Sequence, residues 1–490
     1  MLHTLALFRP APVSTRLWQG AGVVAAVVLT IVVANFLLPP DRSVGRKMLG
    51  HDFLAFYTAG TLVNEGRYDQ LYDLSAARDI QQRVGAEHNL ELGAGFGPYW
   101  NPPFYAWVFV PLARLPYDAA VSIWVTINVM CAAVAIALLA RMIAAAAHPW
   151  PLYDPASMRR FMPPWRYWLL VPVLVCLSMP FLQALSHGQN TFISLLLLTI
   201  TVVLWRARRA AGAGMVCGLL FYKPQLALVV AVMLTITLGW RALAGLVLTG
   251  LVLLCVTEFT LPGSLDLYLT QLPLNLSAMQ VDNPYLWERH ATLKAFWRML
   301  VQGRGPGEMA QPAVIAWAAT GGLLMLGLAA AAWNSVWHRT RADDVFGGNT
   351  RAVQLDRLIA ATIVAMPLLM PFYFDYDLLL LAIPFTLLAA ERLRRAGEPM
   401  HGNDRILLKL AALLFLWLAV NPGVARDSGI NVTVVLLGAL AGLFVHRACR
   451  DRVEPVGASA TAPPTPRTAG ARPAEHEAAL PGMRHRPLAA

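Results

Sequence analysis

The chain has 490 residues, 57% of them hydrophobic and only 14% charged, with a formal net charge of +11. Soluble globular domains carry about a quarter charged residues, so an ordinary soluble enzyme is excluded. The 39 basic residues fall in short clusters between apolar runs, the signature of cytoplasmic loops in a membrane protein and not of a nucleic-acid surface.

The predicted fold is all-α and polytopic. Arg9 and Arg16 precede an apolar run, 17–38, that spans about 33 Å as a helix. No small-x-small cleavage site follows, so it reads as a signal anchor that delivers residues 39–103 outside. Segment 117–143 returns, 167–185 goes out, and 191–205 comes back to "RARR" (206–209). The next apolar stretch is too long for one span and is broken at Lys223-Pro224, where proline removes a backbone donor and disfavours helix in the residue before it. It is expected to form a re-entrant pair that keeps Arg241 inside. Segments 242–261, 311–333, 358–371, 378–390, 407–420 and 431–444 then alternate, which places every basic cluster on one side. The expectation is about ten spans plus the broken pair, large outer loops and both termini cytoplasmic. Residues 1–452 form the membrane domain, and 453–490, rich in Pro, Ala, Gly and Arg, form a disordered tail. Of the five cysteines, Cys131, Cys176, Cys217 and Cys255 lie in apolar segments and Cys449 at the last exit. With no CxxC pair, neither a disulfide framework nor a zinc site is indicated.

Polar residues beside hydrocarbon are costly and are functional candidates by default. In this threading they meet on the outer face, around one amphipathic cleft. "GHDFLAFYTAG" opens the first outer loop with His51, Asp52 and Tyr57, and "FGPYWNPPFYAWVFVPLARLP" closes it with Tyr99 and Asn101. "SHGQN" supplies His187, Gln189 and Asn190; "WERHATLKAFWR" supplies Arg289, His290 and Lys294; "FYFDYD" supplies Tyr373, Asp375 and Asp377.

Plainer readings stand beside these. Asp52 is a good helix N-cap, with Gly66 as the stop of the same helix; capping and facing the cleft are compatible. Arg289, His290 and Lys294 are either a solvated loop or a cationic clamp on a phosphate. Lys223, between two apolar half-helices, needs a partner or a water-filled cavity. Asp375 and Asp377 are a turn, caps or an acidic part of the site, and two acids in one turn are a weak metal signal, so no metal is assigned. Tyr99, Trp100 and Asn101 sit where interfacial aromatics are common. The sequons at Asn275 and Asn431 are short enough to arise by chance.

Taken in order, "HDFLAFYTAGTLVNEGRYDQLYD", "YWNPPFYAWVFVPLARLPYDAAVSIWVTIN", "HGQNTFISLLLL", "GLLFYKPQLAL" and "FYFDYDLLLLAIP" resemble glycosyltransferase family 87, over roughly residues 17–445. The resemblance implies a type-C membrane glycosyltransferase that takes a sugar from a polyprenyl-phosphate donor, with no cofactor and no obligatory metal. The best-described members are mycobacterial α-mannosyltransferases acting on glycolipids. The family's proposed base, the aspartate opening the first outer loop, falls on Asp52. The second outer loop matches only loosely, and "FYFDYD" stands where other members show a histidine-rich turn. The implied partners are a polyprenyl-phosphate sugar, a glycolipid or glycan acceptor and membrane lipid, at the outer face of a bacterial inner membrane. Asp52 would be the base, and Lys223, Arg289, His290 and Lys294 supply the candidates for holding phosphate. The competing readings are a transporter or flippase, a lipid-linked glycan ligase, and a scaffold without a site.

Overall fold

The computed structural model describes residues 50–88, 90, 92, 96–147, 164–337, 347–395, 400 and 402–450. The expected first span, 17–38, and the expected tail, 453–490, lie outside the described residues. The described chain is helical, and its one β-type feature is an isolated antiparallel bridge between His290 and Phe374.

Two short helices, α1 (His51–Asn64) and α2 (Leu74–Glu87), precede the long α3 (Tyr117–Ala147). Next come α4 (Pro164–Cys176), α5 (Met179–His187), α6 (Thr191–Arg206), α7 (Ala210–Leu219), α8 (Pro224–Leu238), α9 (Trp240–Thr260) and α10 (Ser264–Ser277). The last are α11 (Leu293–Gln302), α12 (Gln311–Trp337), α13 (Gly347–Leu369), α14 (Ala382–Arg394), α15 (Gly402–Trp417), α16 (Asn421–Ser428) and α17 (Val432–Arg450).

Among the described residues, five stretches are long and apolar enough to cross a membrane: Tyr117–Ile143, Trp240–Thr260, Gln311–Val336, Ala352–Leu369 and Val432–Cys449. Counting α4–α5 (bent by 59°) and α15–α16 (80°) as one span each gives seven among the described residues. These helices fit an integral membrane protein. The expectation of about ten also counted 17–38, 191–205 and 378–390. Here α6 has only 16 residues, and 378–390 divides between a 3-10 turn (Asp375–Leu381) and α14. Burial separates lipid-facing helices from the bundle centre: the span window of α12 is 11% buried and that of α13 is 83% buried. Leu323 and Leu326 on α12 stand 73% and 71% exposed, as expected where the surroundings are hydrocarbon.

The break at Lys223-Pro224 is present. A 3-10 turn (Leu220–Tyr222) ends at Lys223, and Pro224 opens α8 at a position where its missing N–H costs nothing. α7 and α9 touch backbone to backbone at Gly214 and Gly245. A Cβ on Gly214 would collide with the carbonyl of Ala242, and one on Gly245 with that of Ala211.

α6, α13, α14, α15 and α17 share a largely buried ion network. Arg206 and Arg394 bind Asp356 (2.7 and 3.2 Å), Arg357 and Arg447 bind Glu391 (2.6 and 3.1 Å), and Arg447 and Arg392 bind Asp404 (3.2 and 2.8 Å).

Candidate functional site

Two turns bring the site together. α1 starts after Gly50, whose left-handed backbone (φ 76°) is tied by its N–H to the Ser186 carbonyl (2.7 Å) and by its own carbonyl to the Tyr117 hydroxyl (2.8 Å). Asp52 is therefore the second residue of the helix and makes no cap bond, which overturns the N-cap reading. Gly66 does end the helix. Its N–H reaches the Val63 carbonyl and that of Arg67 the Leu62 carbonyl, the paired bonds of a Schellman turn.

The second turn closes α5. Gly188 (φ 67°) reverses the chain, with its N–H on Leu185 and that of Gln189 on Ala184. The reversal points the side chains on either side of the glycine at the same carboxylate. Gln189 Nε2 donates to Asp52 Oδ2 at 2.6 Å, and His187 Nδ1 lies 3.2 Å from that oxygen. The Asp52 side chain remains 34% exposed, so it is oriented yet reachable.

Asp52 opens onto a cavity of about 1110 Å³. Its charged wall holds Asp52, Lys223, Arg289 and Asp377. Lys223 Nζ bonds both oxygens of Asp377 (3.0 and 3.2 Å), and Arg289 grips Asp375 in a two-point pair (Nη2–Oδ1 2.9 Å, Nε–Oδ2 3.2 Å). The two acids thus position cations. Among the described residues no group of His, Cys, Asp and Glu has the spacing to hold a metal ion. Between the pairs stands the Tyr376 ring, stacked on Phe374 and faced by Lys223 at 5.4 Å and Arg289 at 5.8 Å. Although burial disfavours its charge, Arg289 is held firmly protonated by the Asp375 carboxylate.

The opposite wall is apolar. Phe221, Leu228, Val232 and Ile236 meet Leu243, Leu246 and Val247 of α9. From Pro224 to Ile236 this wall runs about 18 Å along α8. The third side is the loop with Gly97, Pro98, Trp100 and Asn101. Gln81 clamps Gly97 through both of its amide atoms (2.7 and 2.9 Å), and Asn101 Nδ2 donates to the Tyr222 carbonyl (2.8 Å).

Of the residues singled out from sequence, Asp52, Asn101, Gln189, Lys223, Arg289, Tyr373 and Asp377 line this cavity. His187 and Asp375 back it through Asp52 and Arg289. The others lie off its wall. His51 begins α1, the Tyr57 hydroxyl donates to Leu115, that of Tyr99 to Pro102, and Asn190 is fully buried. His290 is sealed against Phe374 (4.1 Å) and Tyr285; burial, with Arg289 and Lys294 nearby, pushes it down to about 3. Lys294, lowered by burial, sits over Phe372 (4.9 Å) and Trp287 (5.6 Å). The sequon residues are engaged as well. Asn275 Nδ2 donates to Tyr72, and buried Asn431 donates to the carbonyls of Glu288 and His290 on either side of Arg289. Sequence reasoning missed Tyr376 and Thr191; their only signals were a tyrosine between two acids and a hydroxyl following "HGQN".

A sequence model of the family described as glycosyltransferase family 87 matches residues 99–371, more than half of the chain. No curated protein and no solved structure matches.

Proposed function

The chain belongs to glycosyltransferase family 87, a membrane glycosyltransferase, and from that premise we propose that it moves a hexose, with mannose favoured, from a polyprenyl-phosphate donor to a hydroxyl of a glycolipid or glycan. The observation that carries the reading is the make-up of one cavity: a reachable carboxylate, two cations and a long apolar wall. A lipid-linked phosphate needs the last two together. The cations already face carboxylates, which suits a phosphodiester with a single charge better than a pyrophosphate or nucleotide.

In the proposed step the acceptor oxygen attacks the anomeric carbon while Asp52 takes its proton. The bond from that carbon to the phosphate oxygen breaks, and its electron pair stays on the phosphate. Negative charge thus passes from Asp52 to the leaving group, where Lys223 and Arg289 stabilise it. Direct displacement inverts the anomeric centre. His187 and Gln189 aim Asp52, and Asp375 holds Arg289. The site faces outward from a bacterial inner membrane with both termini cytoplasmic. The three further segments (17–38, 191–205 and 378–390) bring the spans to about ten, and residues 453–490 are a tail outside the catalytic unit.

The test is transfer of radiolabelled mannose from polyprenyl phosphate by purified wild type and Asp52→Asn. Asparagine still accepts the Gln189 bond but takes no proton. The expected loss is about 10²–10⁴-fold in a folded variant. Equal transfer by both proteins overturns the base assignment. Absence of transfer by the wild type, with movement of a lipid-linked sugar across vesicles instead, supports a flippase.

A further inference from the structure

Thr191 opens α6 three residues after the Gly188 turn, and it does not line the cavity. Its hydroxyl donates to Asp377 Oδ1 at 2.7 Å, the oxygen that Lys223 Nζ reaches at 3.0 Å. The Tyr373 hydroxyl holds the other end of the same residue, donating to the Asp377 carbonyl at 2.8 Å. Thr191 is fully buried, so no water stands ready to replace its bond. Two residues earlier, Gln189 holds Asp52 at 2.6 Å. One turn of chain therefore holds both Asp52 and the carboxylate that pairs Lys223, by side chains whose Cα atoms are at most about 7 Å apart.

The geometry points to Thr191 as a positioning residue: through Asp377 it sets Lys223 at the donor phosphate, and with Gln189 it makes the start of α6 the spacer between base and phosphate. This rests on the proposed roles of Asp52 and Lys223. Without the Thr191 hydroxyl, Asp377 rotates and draws the ammonium off the cavity wall. Donor binding then weakens, while the acceptor, which meets Asp52 and not Lys223, binds as before.

The experiment compares wild type, Thr191→Val and Thr191→Ser, all checked as folded by size exclusion. It measures kcat, the donor KM and the acceptor KM, together with binding of sugar-free polyprenyl phosphate. Valine keeps the shape and removes the donor; serine restores it. The expected result is a rise of about tenfold in the donor KM and in the Kd for polyprenyl phosphate for Thr191→Val. The acceptor KM should stay unchanged, and serine should recover most of the loss. If wild type transfers and valine matches it, or valine and serine fall alike, or both KM values rise together, the positioning role is overturned and the proposed reaction stands. A wild type that neither transfers nor binds polyprenyl phosphate overturns both.

Discussion

α6 and α13 run antiparallel, and both ends of the pair carry charge. At one end Thr191 and Lys223 meet Asp377 just beyond α13; at the other, about 22 Å along α6, Arg206 meets Asp356. The chemistry is the same, with cations on carboxylates, yet the surroundings differ. In the network, Arg357, Glu391 and Arg447 are each 3% exposed, and none of its members lines the large cavity. In the site, Lys223, Arg289 and Asp377 form a cavity wall. A sealed pair has no substitute for a lost partner, because bare charge in a low-dielectric interior is expensive. A pair on a cavity wall exchanges its partner for water or an incoming anion. The first kind staples helix ends; in the proposed reaction the second binds the phosphate.

The sharpest test of this contrast is Glu391→Gln, which strips the shared carboxylate from Arg357 and Arg447. It should cost about 3–5 kcal/mol of stability, read as a large fall in thermal midpoint and folded yield. Activity per folded molecule should stay within about twofold. Arg289→Lys should do the reverse. Lysine does not reproduce the two-point grip on Asp375, so kcat/KM should drop about 10–100-fold while stability changes by about 1 kcal/mol. Should Arg289→Lys unfold the protein as readily as Glu391→Gln, the distinction between the two ends collapses.

A further effect concerns pH. His290 is held neutral by burial, down to about 3, below the ordinary value of about 6.5. The unfolded chain therefore takes the proton first. This contribution is fully present above about pH 6.5 and is lost as pH falls towards 3, by at most about 1.4 kcal/mol per pH unit. Thermal midpoints at pH 7 and pH 4.5 should separate for wild type and converge for His290→Phe. An unchanged separation in the variant assigns the acid sensitivity to another group.

Much of the architecture was legible before any coordinates. Apolar length marks membrane helices, and the Lys223-Pro224 break follows from what proline does to backbone hydrogen bonding. The Gly66 stop and the "HGQN" turn were equally readable, because glycine after an apolar run has a local steric meaning. Legibility failed where partners are distant. Asp52 looked like a cap because capping is judged over four residues, whereas its carboxylate is claimed by Gln189, 137 positions on. The acidic turn stayed open between a turn, caps and an acidic part of the site, since nothing local shows that Lys223, 154 positions earlier, and Arg289 each take one acid. Span number fared in between: 378–390 is apolar enough, but its first turns coil as 3-10 helix around the site.

The sequence by itself determined the membrane character, the order of helices and turns, and the family to which the chain belongs. Those follow from hydrophobic period, chain length and backbone sterics, which act over a few residues at a time. Only the tertiary structure decided which charges meet, that Lys223 and Arg289 reach the cavity while His290 and Lys294 stand behind it, and that the Thr191 hydroxyl meets Asp377. Pairing is settled by which elements pack together, and electrostatic need names no partner in advance.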